Sequence, residues 1–103
     1  MDAKIIKEAV LTLAELYGKS FGGKVSGRYR IPRKLVCDLF ERRRIYPEEI
    51  LLLSRAMMEH GYVLIDMDSF FIVLSSNTFG NYRRVNRDCI SRQSAAPKAP
   101  CDL

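Results

Sequence analysis

Residues 47–75 constrain the fold most. Pro47-Glu48-Glu49 opens a segment that runs through Ile50, Leu51, Leu52, Leu53, Ala56, Met57 and Met58 and stops at His60-Gly61. Proline fits a first helical turn, two carboxylates complement the positive end of the helix dipole, and glycine suits the left-handed residue that ends a helix. A helix is therefore predicted over 47–60. Two β-branched and aromatic runs follow at 62–65 and 70–75, joined by Asp66-Met67-Asp68-Ser69. That pattern is a β-hairpin. A helix running into a hairpin leaves apolar faces that the preceding half of the chain has to cover.

The first half supplies the cover. Ile6, Ala9 or Val10, Leu13 and Leu16 or Tyr17 recur at three- and four-residue spacing, so a helix with one apolar face is predicted over 3–17. Gly18 is expected to end it in a left-handed conformation, and 19–24 to form a flexible loop. Over 26–31 the residues alternate, with Arg28 and Arg30 on one side and Tyr29 and Ile31 on the other. A short half-buried strand with a basic outer face is expected there. Pro32 ends it and suits the start of a helix over 33–43. Leu35, Val36, Leu39 and Phe40 form the inward stripe of that helix, and 44–46 are a link.

With 103 residues there is room for one core. The expected architecture is α+β, a single domain over 1–88 followed by a disordered tail over 89–103. Small, polar and proline residues in that tail cannot bury enough apolar surface to order it.

Several function classes find no support. Composition is that of an ordinary globular chain, with 48% hydrophobic and 28% charged residues. No run reaches the roughly 18–20 apolar residues of a membrane helix. Asp2, Lys4, Lys7 and Glu8 interrupt the start of the chain where a signal peptide would be apolar, so no membrane and a cytoplasmic location are expected. Cys37, Cys89 and Cys101 are odd in number and unevenly spaced, unlike a disulfide framework. Cys37 falls in a helix pattern as a small core residue. His60 has no paired-ligand spacing with them, so no metal is expected. Gly18-Lys19-Ser20 resembles the end of a phosphate loop, but Leu13 stands where that loop needs its first glycine, and a helix precedes it. Asp66 and Asp68 suit a turn better than a metal pair. With one histidine and no cofactor motif, neither catalytic residues nor a cofactor is expected.

Charge is strongly polarised along the chain. Residues 24–44 carry Lys24, Arg28, Arg30, Arg33, Lys34, Arg42, Arg43 and Arg44 against Asp38 and Glu41. Residues 45–76 carry Arg55 alone against Glu48, Glu49, Glu59, Asp66 and Asp68. A segment so basic creates a local field that attracts phosphates. Its alternative role is to solvate exposed faces.

The order helix, strand, helix, helix, strand, strand over residues 3–76 resembles the winged-helix DNA-binding domain of prokaryotic transcription regulators. Leu53-Ser54-Arg55-Ala56-Met57-Met58-Glu59-His60-Gly61-Tyr62-Val63-Leu64-Ile65 is similar to the family's run from the third helix into the wing. The resemblance implies double-stranded DNA as partner, with the third helix in the major groove and the wing on the backbone or minor groove. Here the third helix begins with Glu48 and Glu49 and the wing turn is acidic. DNA contacts are therefore expected from Arg28, Arg30, Arg33, Lys34, Arg42, Arg43 and Arg44, aided by Tyr46 and by Arg83, Arg84 and Arg87. Such contacts address phosphates more readily than bases.

The chain is also apolar in excess. Leu51, Leu52 and Leu53 are consecutive, so one helix cannot turn all three inward, and both strands of the hairpin are apolar on both faces. Leu51, Leu52, Met58, Phe70 and Phe71 are expected at a homodimer interface, or at the docking surface of a winged-helix adaptor for a protein partner. RNA binding shares the electrostatics of the DNA reading.

Overall fold

The computed structural model describes residues 2–91. Three α-helices pack on one three-stranded antiparallel sheet, an α+β arrangement in the order α1 (Ala3–Tyr17), β1 (Tyr29–Pro32), α2 (Arg33–Leu39), α3 (Pro47–Glu59), β2 (Tyr62–Asp66) and β3 (Phe70–Ser75). Two 3-10 turns follow, Ser76–Asn81 and Arg87–Ile90. The second overlaps residues expected to begin a disordered tail; the rest of that tail, from 92 onward, lies outside the described residues.

Helix α1 spans the residues its periodicity predicts. The Asp2 side chain accepts from the Lys4 N–H at 3.1 Å, which satisfies one of the otherwise unpaired amides of the first turn. Ile6, Ala9, Val10 and Leu13 are buried on one face. Gly18 departs from expectation: its φ of −94° and ψ of 1° are right-handed. The helix ends instead by tightening, with the Gly18 N–H donating to the Glu15 carbonyl at 3.1 Å.

The loop after α1 is more ordered than its composition suggests. Phe21 and Lys24 exchange backbone hydrogen bonds, each of 3.0 Å. Between them Gly22 and Gly23 have φ of 59° and 83°, a pair of positive values that a type I′ turn demands and glycine adopts without strain. The strand then starts at Tyr29, three residues later than expected. Ile31 is buried and Tyr29 half-buried on the inner face, while Arg30 points outward.

Helix α2 ends at Leu39, four residues short of expectation. Glu41 adopts a left-handed φ of 55°, and the turn lets both Phe40 and Ile45 reach the core. Burying those two side chains outweighs continuing the helix. Arg42, Arg43 and Arg44 consequently lie on a loop.

Helix α3 buries Leu53 and Met57 completely. Gly61, at φ 92°, turns the chain into β2. In the hairpin Asp68 has a φ of 71°, and the Asp66 carboxylate accepts from its N–H at 2.8 Å. Aspartate tolerates this backbone and closes the turn locally. The strand order is β1-β3-β2, with Ile31 opposite Phe71 and Leu64 opposite Val73. These four join Leu13, Val36, Cys37, Leu53 and Met57 in one core.

Phe71 corrects the expected interface set. It has no exposed surface at all, because it lies on the inner face of the central strand. Phe70 is half-buried on the other face.

Candidate nucleic-acid interface

The basic residues divide into those bound within the fold and those left open. Arg33, the first residue of α2, donates through Nη1 to the Asp66 carboxylate at 2.9 Å and to the Asp68 carbonyl at 2.8 Å. Arg42 donates to the Glu49 carboxylate and has its guanidinium 6.0 Å from the centre of the Tyr46 ring. Neither arginine hangs free for phosphate, as the sequence led us to expect of both.

Glu49 has the complementary role. Its Oε1 accepts from the Tyr46 N–H at 2.9 Å, so the carboxylate closes the first turn of α3 as the third residue of a capping box does. That backbone N–H, then the Arg42 guanidinium, holds its carboxyl below the ordinary value of 4.5. The glutamate expected to repel phosphate is thus neutralised inside the fold, and Glu48 remains exposed.

Arg43 and Arg44 are exposed and make no ion pair among the described residues. With Arg42 and Tyr46 they line a shallow hollow of about 320 Å³ where α3 begins. A second basic surface forms where the α1–β1 loop folds over β1. Lys19, Lys24, Arg28 and Arg30 line a hollow of about 590 Å³ together with Phe21 and Tyr29. Arg30 continues into a further hollow with Pro32, Ser69 and Phe70, its guanidinium 5.7 Å from the Phe70 ring centre. Lys34, Arg83 and Arg84 are exposed and line none of these hollows.

From the sequence Lys19 enters only through a rejected phosphate-loop match and Lys24 only through the charge of its segment, and Phe21 is not singled out. Their signal was an aromatic and a lysine bracketing Gly22-Gly23, which a loop prediction passes over. Tyr29 anchors this region: its hydroxyl donates to the Leu13 carbonyl at 2.7 Å, and burial pushes the phenol well above its usual range.

The exposed side of α3 is of another kind. Leu51, Leu52 and Met58 are 51%, 44% and 54% exposed, beside Glu48, Glu59 and the single cation Arg55. Leu52 also borders a groove of about 460 Å³ between α1 and α3, walled by Ile6, Val10, Leu11 and Ala56 with Lys7, Glu59 and His60 at its margin. Among the described residues no three His, Cys, Asp or Glu side chains come together, and no helix is long and apolar enough to cross a membrane.

Comparison with protein-family models, with curated proteins and with solved structures finds no match for this chain.

Proposed function

We propose that this chain is a dimeric winged-helix protein that binds double-stranded DNA as a transcription regulator, holding phosphates through its open arginines. The observation that carries the reading is the exposure of Arg43 and Arg44, without acidic partners among the described residues, beside Tyr46 at the start of α3. Arg28 and Arg30 extend the positive surface along the outer side of β1. The β1-β3-β2 sheet, in which the hairpin pairs with the strand before α2, supports the winged-helix assignment.

Recognition in this reading differs from insertion of a polar third helix into the major groove. The outward residues of α3 are mainly leucines, a methionine and carboxylates, with Arg55 as their single cation, and offer phosphates little. Contacts led by loop and strand arginines bind the backbone and favour affinity over base discrimination. The α3 face is then left for a second copy of the chain.

Charge reversal at Arg43 and Arg44 tests the reading. Duplexes of every sequence should lose affinity for the R43E/R44E variant in fluorescence anisotropy; unchanged affinity removes the loop from the interface. A second reading, an adaptor that docks a protein partner, draws on the same half-exposed Leu51, Leu52 and Met58. It gains if duplex and RNA both fail to bind at low salt.

A further inference from the structure

We propose that the hollow between the end of α1 and β1 is a nucleotide site, in which Phe21 stacks on the base and Lys24, Arg28 and Arg30 hold the phosphate. It shares two arginines with the duplex surface but rests on Phe21 and Lys24, which that surface does not use. Its volume of about 590 Å³ falls within the roughly 300–1,000 Å³ of small-molecule sites.

The lining is one-sided in charge. Four cations line the hollow and, among the described residues, no carboxylate does. Among the described residues Lys19 is the one of the four with an ion pair, to Glu15 at 3.9 Å, and both side chains are largely exposed, so the pair is weak. Lys24, Arg28 and Arg30 have no ion pair among the described residues. Cations gathered without a counter-charge are best satisfied by an anion with several acceptor oxygens.

The aromatic ring gives the ligand its second half. Phe21 is 43% exposed, yet its position is held. Its ring and the Tyr29 ring meet in a T-shaped arrangement with centroids 5.7 Å apart and planes at 71°, and Tyr29 is itself fixed to Leu13 by its hydroxyl. The reciprocal Phe21–Lys24 bonds and the Gly27 N–H donated to the Tyr17 carbonyl at 2.9 Å keep the loop closed. A held, half-exposed ring beside cations is the pairing that binds a base and its phosphate together. A free mononucleotide and an unpaired nucleotide within a strand present the same chemistry.

Titrations of the full 15N-labelled chain test the site, read at the amides of Gly22, Gly23 and Gly27. AMP, a single-stranded hexanucleotide and inorganic phosphate are the three probes. Saturable shifts with AMP identify a free nucleotide as the ligand; saturable shifts with the hexanucleotide alone identify a nucleotide within a strand. In either case Phe21→Ala should weaken binding at least about fivefold, the lower end of what one stacked base contributes. Lys24→Gln, at an exposed position, should weaken it as well. Absence of saturable shifts with both nucleotides, an F21A variant that titrates like the native chain, or phosphate matching AMP in affinity would overturn the proposal. Duplex affinity is read on the same samples. AMP binding without duplex binding upholds the hollow and removes the duplex reading, whereas duplex binding without either nucleotide overturns the hollow alone.

Discussion

The Arg33 guanidinium donates to the Asp66 carboxylate at 2.9 Å, tying the first residue of α2 to the turn between β2 and β3. It also lies 5.1 Å from the centre of the Phe71 ring. One contact thus changes the electrostatics twice. It removes an arginine from the set free to meet phosphate, and it balances an acidic turn that would otherwise repel a polyanion.

Replacing Arg33 with alanine should destabilise the fold by about 1 kcal/mol in urea denaturation. The ion pair is partly exposed and contributes on the order of 0–1 kcal/mol, and the ring contact about 0.5–1 kcal/mol. A double-mutant cycle with Asp66→Ala should give a coupling below about 1 kcal/mol. A coupling well above about 1 kcal/mol would contradict a pair this exposed to solvent.

Glu49 should give the protein an acid-sensitive limb. The Tyr46 N–H and the Arg42 guanidinium lower its folded carboxyl below the ordinary 4.5, while the unfolded chain keeps that ordinary value. The folded form is therefore favoured at pH above 4.5, and this contribution fades as pH falls through the lowered folded value. Thermal melts from pH 6 to pH 3 should show a steeper loss for the native chain than for Glu49→Gln. Parallel profiles would mean the carboxylate is not engaged.

The two adjacent phenylalanines should separate sharply. Phe71→Ala empties a fully buried site and should cost about 3–5 kcal/mol. Phe70→Ala, on the half-buried outer face, should cost less than about half of that. Equal losses in urea unfolding would contradict the strand facing described above.

This pair also marks where sequence reasoning stops. Alternation assigns neighbouring strand residues to opposite faces, but with both faces apolar it cannot say which one meets the core. Phe71 became identifiable only through its register with Ile31. The bounds of helix α1 were legible to the residue, because its period is local, although Gly18 ends it in a right-handed conformation. The end of α2 was not, since it is set by burial of Phe40 and Ile45 rather than by propensity. Within the candidate interface, exposed Arg43 and Arg44 could be read from charge alone. The engagement of Arg33 depends on a carboxylate 33 positions away, and that of Arg42 on the chain turning back at Glu41.

Helix α3 should govern assembly. Leu51→Ser with Leu52→Ser removes half-exposed apolar side chains and spares the fully buried Leu53, so the fold should persist. In sedimentation velocity the native chain should be a dimer and the double variant a monomer. A native monomer would remove the second copy as occupant of this face. Lost dimerisation accompanied by lost duplex binding would link assembly to DNA.

Phosphate neutralisation is the central claim, and the salt dependence of duplex binding measures it most directly. Fluorescence anisotropy against a random-sequence duplex at several salt concentrations gives the slope of log affinity on log salt, near −0.9 for each phosphate contacted. The account predicts micromolar binding that weakens steeply with salt, and a slope shallower by about 1.8 in the R43S/R44S variant, two contacts fewer. Absence of binding at low salt, or the same slope in both proteins, would contradict it.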